Sequence, residues 1–314
     1  MKMKEKIRTF VDEDKNQLKI ISLLTASIFI LKFYKFDKEI AFPSNIIFIF
    51  APIMLIFIQD SLRSRFLWGV LVSSMISFFY KNWYHLDNHL YLFFYWIMAV
   101  FIACFIGARE DRIKYIKFNA CYLVFFTMMI SALQKIMSSS YMNGDFFLFT
   151  FLTDDRFFPL TFSLFKTNPY DLVKNKLILN ESFIESNAVM LWGKSALLEK
   201  GSLIFSYFVV GGEFLLGLLF FIPSLSNFHY HFRLSLLFSF IFLVYLFVPV
   251  ISFGYILTVF AYTLIDSKRK YSFFWKVSYL VLFLFLISLS DLPKNLYPLT
   301  KLFIYSPVLE YYQN

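Results

Sequence analysis

Glycine is scarce in this chain, nine residues in 314, and its scarcity excludes close-packed small-residue seams as the main way helices meet. Bulky side chains must fill those spaces, and 45 phenylalanines are present to do so. Cysteine is scarcer still. Cys104 and Cys121 both fall inside apolar runs, which argues against a disulfide framework, and neither has the neighbours of a metal site. Phosphate-binding motifs, nucleophile-elbow sequences and HExxH patterns are missing. His85 and His89 are four apart, but Asp87 lies off their shared face and no second ligand cluster exists, so no metal is expected. The absence of an internal repeat disfavours an alternating-access carrier.

What the chain does have is apolar bulk: 59% hydrophobic and 22% aromatic residues, the range of polytopic membrane proteins. Its formal charge of +9 comes from Lys and Arg in short groups between apolar runs, a topological signature and not a nucleic-acid-binding face. Runs able to span about 30 Å of hydrocarbon lie near 18–35, 43–59, 65–80, 89–108, 118–136, 202–222 and 273–290. The stretch 233–265 is too long for one span and short for two, with Pro249 near its middle.

Charge asymmetry sets the parity. With Lys2, Lys4, Lys6 and Arg8 cytoplasmic, Arg63, Arg65, Arg109, Arg112, Lys114 and Lys117 are cytoplasmic too, and Lys268-Arg269-Lys270 joins them only if 233–265 crosses twice. The expectation is an all-α polytopic transmembrane bundle of about nine passes, the seventh and eighth short, forming a single transmembrane domain over 1–314. No small-residue cleavage site follows the first run, which therefore reads as a retained helix. The segment 136–201 becomes a long external loop whose Phe146-Phe147-Leu148-Phe149 and Phe157-Phe158-Pro159 suggest interfacial or re-entrant pieces. Residues 291–314 read as an interfacial tail.

In this topology the fourth span runs inward from Asn88-His89 and the fifth runs outward to Gln134-Lys135, so both polar ends meet on the external side. Asn119, Thr127, Ser131 and Lys135 are separated by multiples of four and share one helical stripe. Glu213 stands in the middle of the sixth span, where burying it ionised costs several kcal/mol unless it is protonated, paired or in a polar cavity. Each residue also has a plainer reading: a terminal Lys snorkels, a Ser or Thr bonds a neighbouring helix, an interfacial His is solvated. His229 and His231, beside Arg233, read as cytoplasmic anchors.

The segment Asn88-His89-Leu90-Tyr91-Leu92 resembles the Asn-His-x-Tyr-Leu motif of the vitamin K-dependent gamma-carboxylase-like (HTTM) membrane proteins. Ser131-Ala132-Leu133-Gln134-Lys135-Ile136 and Tyr141-Met142-Asn143-Gly144 resemble that family's Ala-Gly-x-x-Lys-Leu and trailing aromatic-x-x-Gly motifs. The similarity covers roughly 15–290, and its specific motifs lie in 80–160. Gln134 replaces a lysine of the animal carboxylases, Ala132 a glycine and Met128 a tyrosine. Glu213 resembles the family's late-helix glutamate more loosely.

The resemblance implies that Lys135 acts as a base on a reduced quinone, a vitamin K hydroquinone or menaquinol. With O2, that chemistry yields a strong alkoxide base that removes a gamma proton from a peptide glutamate, while His89 assists the carbanion that captures CO2. An apolar surround favours the uncharged amine that a lysine base requires. Asn88, Gln134, Ser131, Thr127 and Glu213 would support the pair. The expected function is a gamma-carboxylase-like enzyme in a bacterial cytoplasmic membrane, acting on a peptide or small acceptor at the outer face. The large external domain that binds propeptides in the animal enzymes is not expected here. The alternative is a non-catalytic membrane factor that matures, exports or binds a secreted peptide toxin, the role with which short members of the family are associated.

Overall fold

The structure, a computed structural model, describes residues 14–33, 44–58, 64–82, 87–154, 157–185, 192–222, 226–247 and 251–300. Every regular element among them is a helix. In chain order these are α1 (Asp14–Phe33), α2 (Ser44–Phe57), α3 (Arg65–Asn82), α4 (Asn88–Ala103) and α5 (Arg109–Ile136). After them come α6 (Ser139–Met142), α7 (Asp145–Thr153), α8 (Phe158–Phe165) and α9 (Pro169–Glu185). The last four are α10 (Ala196–Phe221), α11 (Asn227–Phe247), α12 (Ile251–Leu264) and α13 (Ser272–Thr300).

Each predicted apolar run coincides with a helix, and 233–265 resolves into α11 and α12, on either side of Val248–Val250, which lie outside the described residues. Among the described residues, three helical stretches are long and apolar enough to cross a membrane: Arg109–Ile136, Ala196–Phe221 and Asn227–Tyr245. At about 1.5 Å per residue, the 28 residues of α5 exceed the hydrocarbon thickness. Its first turns carry Arg109, Glu110, Asp111 and Arg112, so the apolar part begins near Phe118. From there Phe118, Tyr122, Phe126, Ile130 and Leu133 form an exposed stripe suited to lipid, while Val124, Met128 and Ala132 are buried. Asn16–Leu31, Asn88–Ala103, Ser252–Leu264 and Ser272–Ser288 are shorter apolar helices.

The chain divides into two compact units. The first comprises Met1–Thr127, Gly217–Ile241 and Ser252–Leu284. Within it α1 packs on α2, α2 on α3 and α3 on α4. Its interior is aromatic, as the shortage of glycine requires: Phe29 lies 6.0 Å from Phe48 and 4.9 Å from Phe93. Trp96 is fully buried and donates its indole N–H to Thr25 Oγ1 at 3.0 Å, so the ring's polar atom is not stranded. Gln17, also buried, donates to the last carbonyls of α12, with Ile265 O at 2.8 Å. A helix end leaves such carbonyls without intrahelical partners, and Gln17 supplies one.

The second unit comprises Met128–Leu216, Phe242–Ile251 and Phe285–Asn314. The described residues of the predicted external loop, 136–201, form four helices, α6 to α9, before α10 begins at Ala196. Their core is Phe147, Phe151, Leu152, Phe157, Phe158, Phe165 and Leu172, closed by Leu198 and Val209 from α10. Asn175 fastens this layer by donating to Leu152 O and Trp192 O while accepting from Trp192 N at 2.6 Å. The loop's many phenylalanines are thus mostly a packed core, and Phe146, Phe149 and Phe162 remain outward.

Candidate functional site

Lys135 does not snorkel away from the bundle. Its Nζ sits 2.5 Å from both carboxylate oxygens of Glu213 and 2.7 Å from Ser131 Oγ, one helical turn earlier on α5. The side chains are 18% and 7% exposed, so the ion pair is enclosed. The sequence requirement that Glu213 be protonated, paired or in a polar cavity is met by pairing.

Local structure explains why these atoms meet. Ser131 and Lys135 are four apart on α5 and project from one face, and Ala132, fully buried, lets a neighbouring element approach beside them. After α5 the chain reverses through Ser138 into α6, which brings the Tyr141 ring over Lys135 Nζ, 5.5 Å from centroid to nitrogen. Tyr141 stacks in turn on Phe146 at 4.7 Å and meets Phe147 edge-on. Burial first, and then the negative charge of Glu213, push the Tyr141 phenol well above its ordinary range, so it stays a hydroxyl.

Gly144 fixes this turn. Its φ of +81° lies in the left-handed region, and an added Cβ would stand 2.8 Å from the backbone nitrogen of Leu203 on α10. The aromatic-x-x-Gly pattern read in the sequence therefore has a mechanical basis. The aromatic residue covers the lysine, and the glycine lets the turn press against the helix that carries the acid. Ser206 was not singled out from sequence. It lies two turns before Glu213 on the same side of α10 and is fully buried with its hydroxyl unpartnered. Small polar residues at helical spacing from Glu213, Ser202 and Ser206, were the available signal.

The remaining candidates are placed differently. Gln134 is exposed and Asn88 is exposed, so neither contributes to the enclosed cluster. Asn119 turns its amide back to Tyr115 O at 2.8 Å within its own helix. Thr127 is half-buried in the first unit. His89, the second residue of α4, also belongs to the first unit and stacks on Phe253, with centroids 4.8 Å apart and planes at 15°. Asp87 caps α4 by accepting from Leu90 N at 3.0 Å, a structural use of that carboxylate. His85 lies outside the described residues.

An enclosed ammonium–carboxylate pair is neutral as a whole and can exchange one proton with a third group. The carboxylate is the member with lone pairs free to accept, and the ammonium can hold the negative charge created nearby. No family model, curated protein or solved structure matches the chain. The functional argument therefore rests on its own residues.

Proposed function

We propose that the chain is a membrane enzyme of the gamma-carboxylase-like type, crossing the bacterial cytoplasmic membrane about nine times with its N-terminus in the cytoplasm. The observation that carries the reading is the Lys135–Glu213 pair closed over by Ser131 and Tyr141. Isolated charges are rare at such depth in apolar bundles and mark sites of proton handling or ligand binding. The donor set, an ammonium, a carboxylate, a serine hydroxyl and an aromatic face, suits a flat ring bearing hydroxyls, and the orphaned Ser206 hydroxyl adds a further polar group on α10. When bound, a reduced quinone would supply an acidic hydroxyl and reducing equivalents.

The ion pair changes the division of labour that the resemblance implies. A lysine present as ammonium has no lone pair and cannot accept a proton. Glu213 Oε accepts it instead, the pair becomes ammonium plus carboxylic acid, and Lys135 Nζ stabilises the charge left on the donor oxygen. Ser131 fixes the ammonium, and Tyr141 with its stacked neighbours excludes water. His89 remains the proposed partner for the later carbanion step.

The test is epoxide formation from menaquinol and oxygen by the full chain in nanodiscs, followed by chromatography. Lys135→Ala and Glu213→Gln should each lower turnover by about 10²-fold or more. Undiminished turnover in either variant sinks the assignment. The exposed Phe149, Phe162 and Leu164 support the second reading, peptide handling without catalysis. If that reading is right, substitutions at those positions abolish toxin maturation in cells while Lys135→Ala leaves it intact.

A further inference from the structure

Arg233 has a feature that anchoring does not explain. It is only 8% exposed, about 9 Å along α11 from Asn227, and its guanidinium lies over the rings of Phe220 and Tyr230, 5.3 and 5.7 Å from their centroids. No described residue forms an ion pair with it, and its Nε is buried without a hydrogen-bond partner. Ring faces attract a cation but do not satisfy a fork of five N–H donors, and a buried charged donor left unmade is costly.

A second guanidinium lies against the same tyrosine: Arg269 Cζ is 4.5 Å from the Tyr230 ring centroid. Asp266 lies 3.7 Å from Arg269 Nε and accepts from Lys268 N. It therefore offsets one guanidinium and leaves the other. Arg269 is held by Asn227 Oδ1 at 2.7 Å, at the start of α11. Helical side chains lean toward the N-terminus, so Arg233 reaches back over this first turn, whose dipole is positive. Ser226 Oγ already takes the His229 N–H, so the helix end contributes its dipole more than a ring of donors. All of these groups belong to the first unit.

We propose that Arg233 and Arg269, with the first turn of α11, form a binding site for a phosphate group, the headgroup of an anionic lipid at the membrane face carrying Lys268-Arg269-Lys270. A phosphate accepts two parallel bonds from a guanidinium, which is the geometry Arg233 leaves unused. The lipid source follows from the setting, an arginine enclosed among aromatic rings within an apolar helix. Free phosphate would satisfy the same chemistry.

The test uses the full chain, delipidated in detergent, with bound lipid counted by native mass spectrometry and unfolding followed thermally. The probes are phosphatidylglycerol, phosphatidylcholine and inorganic phosphate, each with the wild type, Arg233→Gln, Arg233→Lys and Arg269→Gln. Wild type should retain phosphatidylglycerol about tenfold more tightly than Arg233→Gln, with Arg233→Lys between them because it keeps charge but loses the fork. A stabilising shift from inorganic phosphate equal to that from phosphatidylglycerol, lost in Arg233→Gln, assigns the site to free phosphate. Should Arg233→Gln fail to fold, Arg269→Gln, at a side chain 26% exposed, carries the same expectation at smaller size. Equal retention of both lipids by wild type with no phosphate shift, or retention unchanged in the variants, overturns the proposal.

Discussion

Replacing Lys135 by methionine strands the Glu213 carboxylate, and replacing Glu213 by leucine strands the ammonium. At 2.5 Å the direct attraction is about 6–7 kcal/mol for an effective dielectric constant of about 20. Desolvation of two ions offsets most of it, at several kcal/mol each, so the pair as a whole is nearly neutral relative to an apolar replacement. Removing one member is a different matter, because the charge left behind keeps its desolvation and loses its compensation. That costs about 3–5 kcal/mol in other buried pairs. Here Ser131 remains as a partner at 2.7 Å, which argues for the lower end, about 3 kcal/mol for each single variant. The double variant, an apolar replacement of the whole pair, should lose no more than about 1 kcal/mol instead of the sum of about 6, a coupling of about 5 kcal/mol. Reversible unfolding in mixed anionic and neutral detergent micelles, followed by tryptophan fluorescence, measures all four corners of the cycle. Single losses below about 1 kcal/mol, or additivity within about 0.5 kcal/mol, would refute the enclosed pair.

Gly144→Ala should destabilise the chain by about 2 kcal/mol or more, from left-handed strain and the collision with the Leu203 backbone; an unchanged melting temperature contradicts that geometry. The raised Tyr141 phenol contributes stability that is complete below the ordinary tyrosine value and is lost as pH rises from about 10 upward. The tyrosinate absorbance of wild type minus that of Tyr141→Phe should therefore stay flat to about pH 11, and a normal titration step in the difference would show the ring to be open to water. Gln17→Leu keeps the side chain's bulk but deprives the Ile265 carbonyl of its 2.8 Å donor, at about 1–3 kcal/mol by thermal unfolding. A neutral result there means that water replaces the amide.

The apolar runs of the sequence located the helices, because hydrophobic length is a property of consecutive residues. The four-residue spacing likewise put Ser131 and Lys135 on one face. The partner of Glu213 was not legible. The cost of an ionised carboxylate in mid-helix demanded compensation, but which residue supplies it depends on the rotational phase of α10 against its neighbours, which packing alone fixes. Gln134 shows the same limit from the other side: adjacent to Lys135 in sequence, it lies about 100° around the helix and is exposed. Arg233 was grouped with His229 and His231 as an anchor. The Tyr230 ring three residues earlier was the local sign that its charge could be covered, whereas the Phe220 ring comes from a different helix. The segment 136–201, read from the sequence as an external loop with interfacial pieces, contains the short helices α6 to α9. That Phe147, Phe151 and Phe158 bury one another is a tertiary fact without a period in the sequence.

The contact between Gly144 and Leu203 leaves no clearance for even a methyl group, which makes the start of the 139–153 segment a wedge and not a flap. A wedge seated on backbone cannot swing open to admit a ligand without first shifting the helix it rests on. Any force applied to the turn is thereby delivered to the rod that holds the acid.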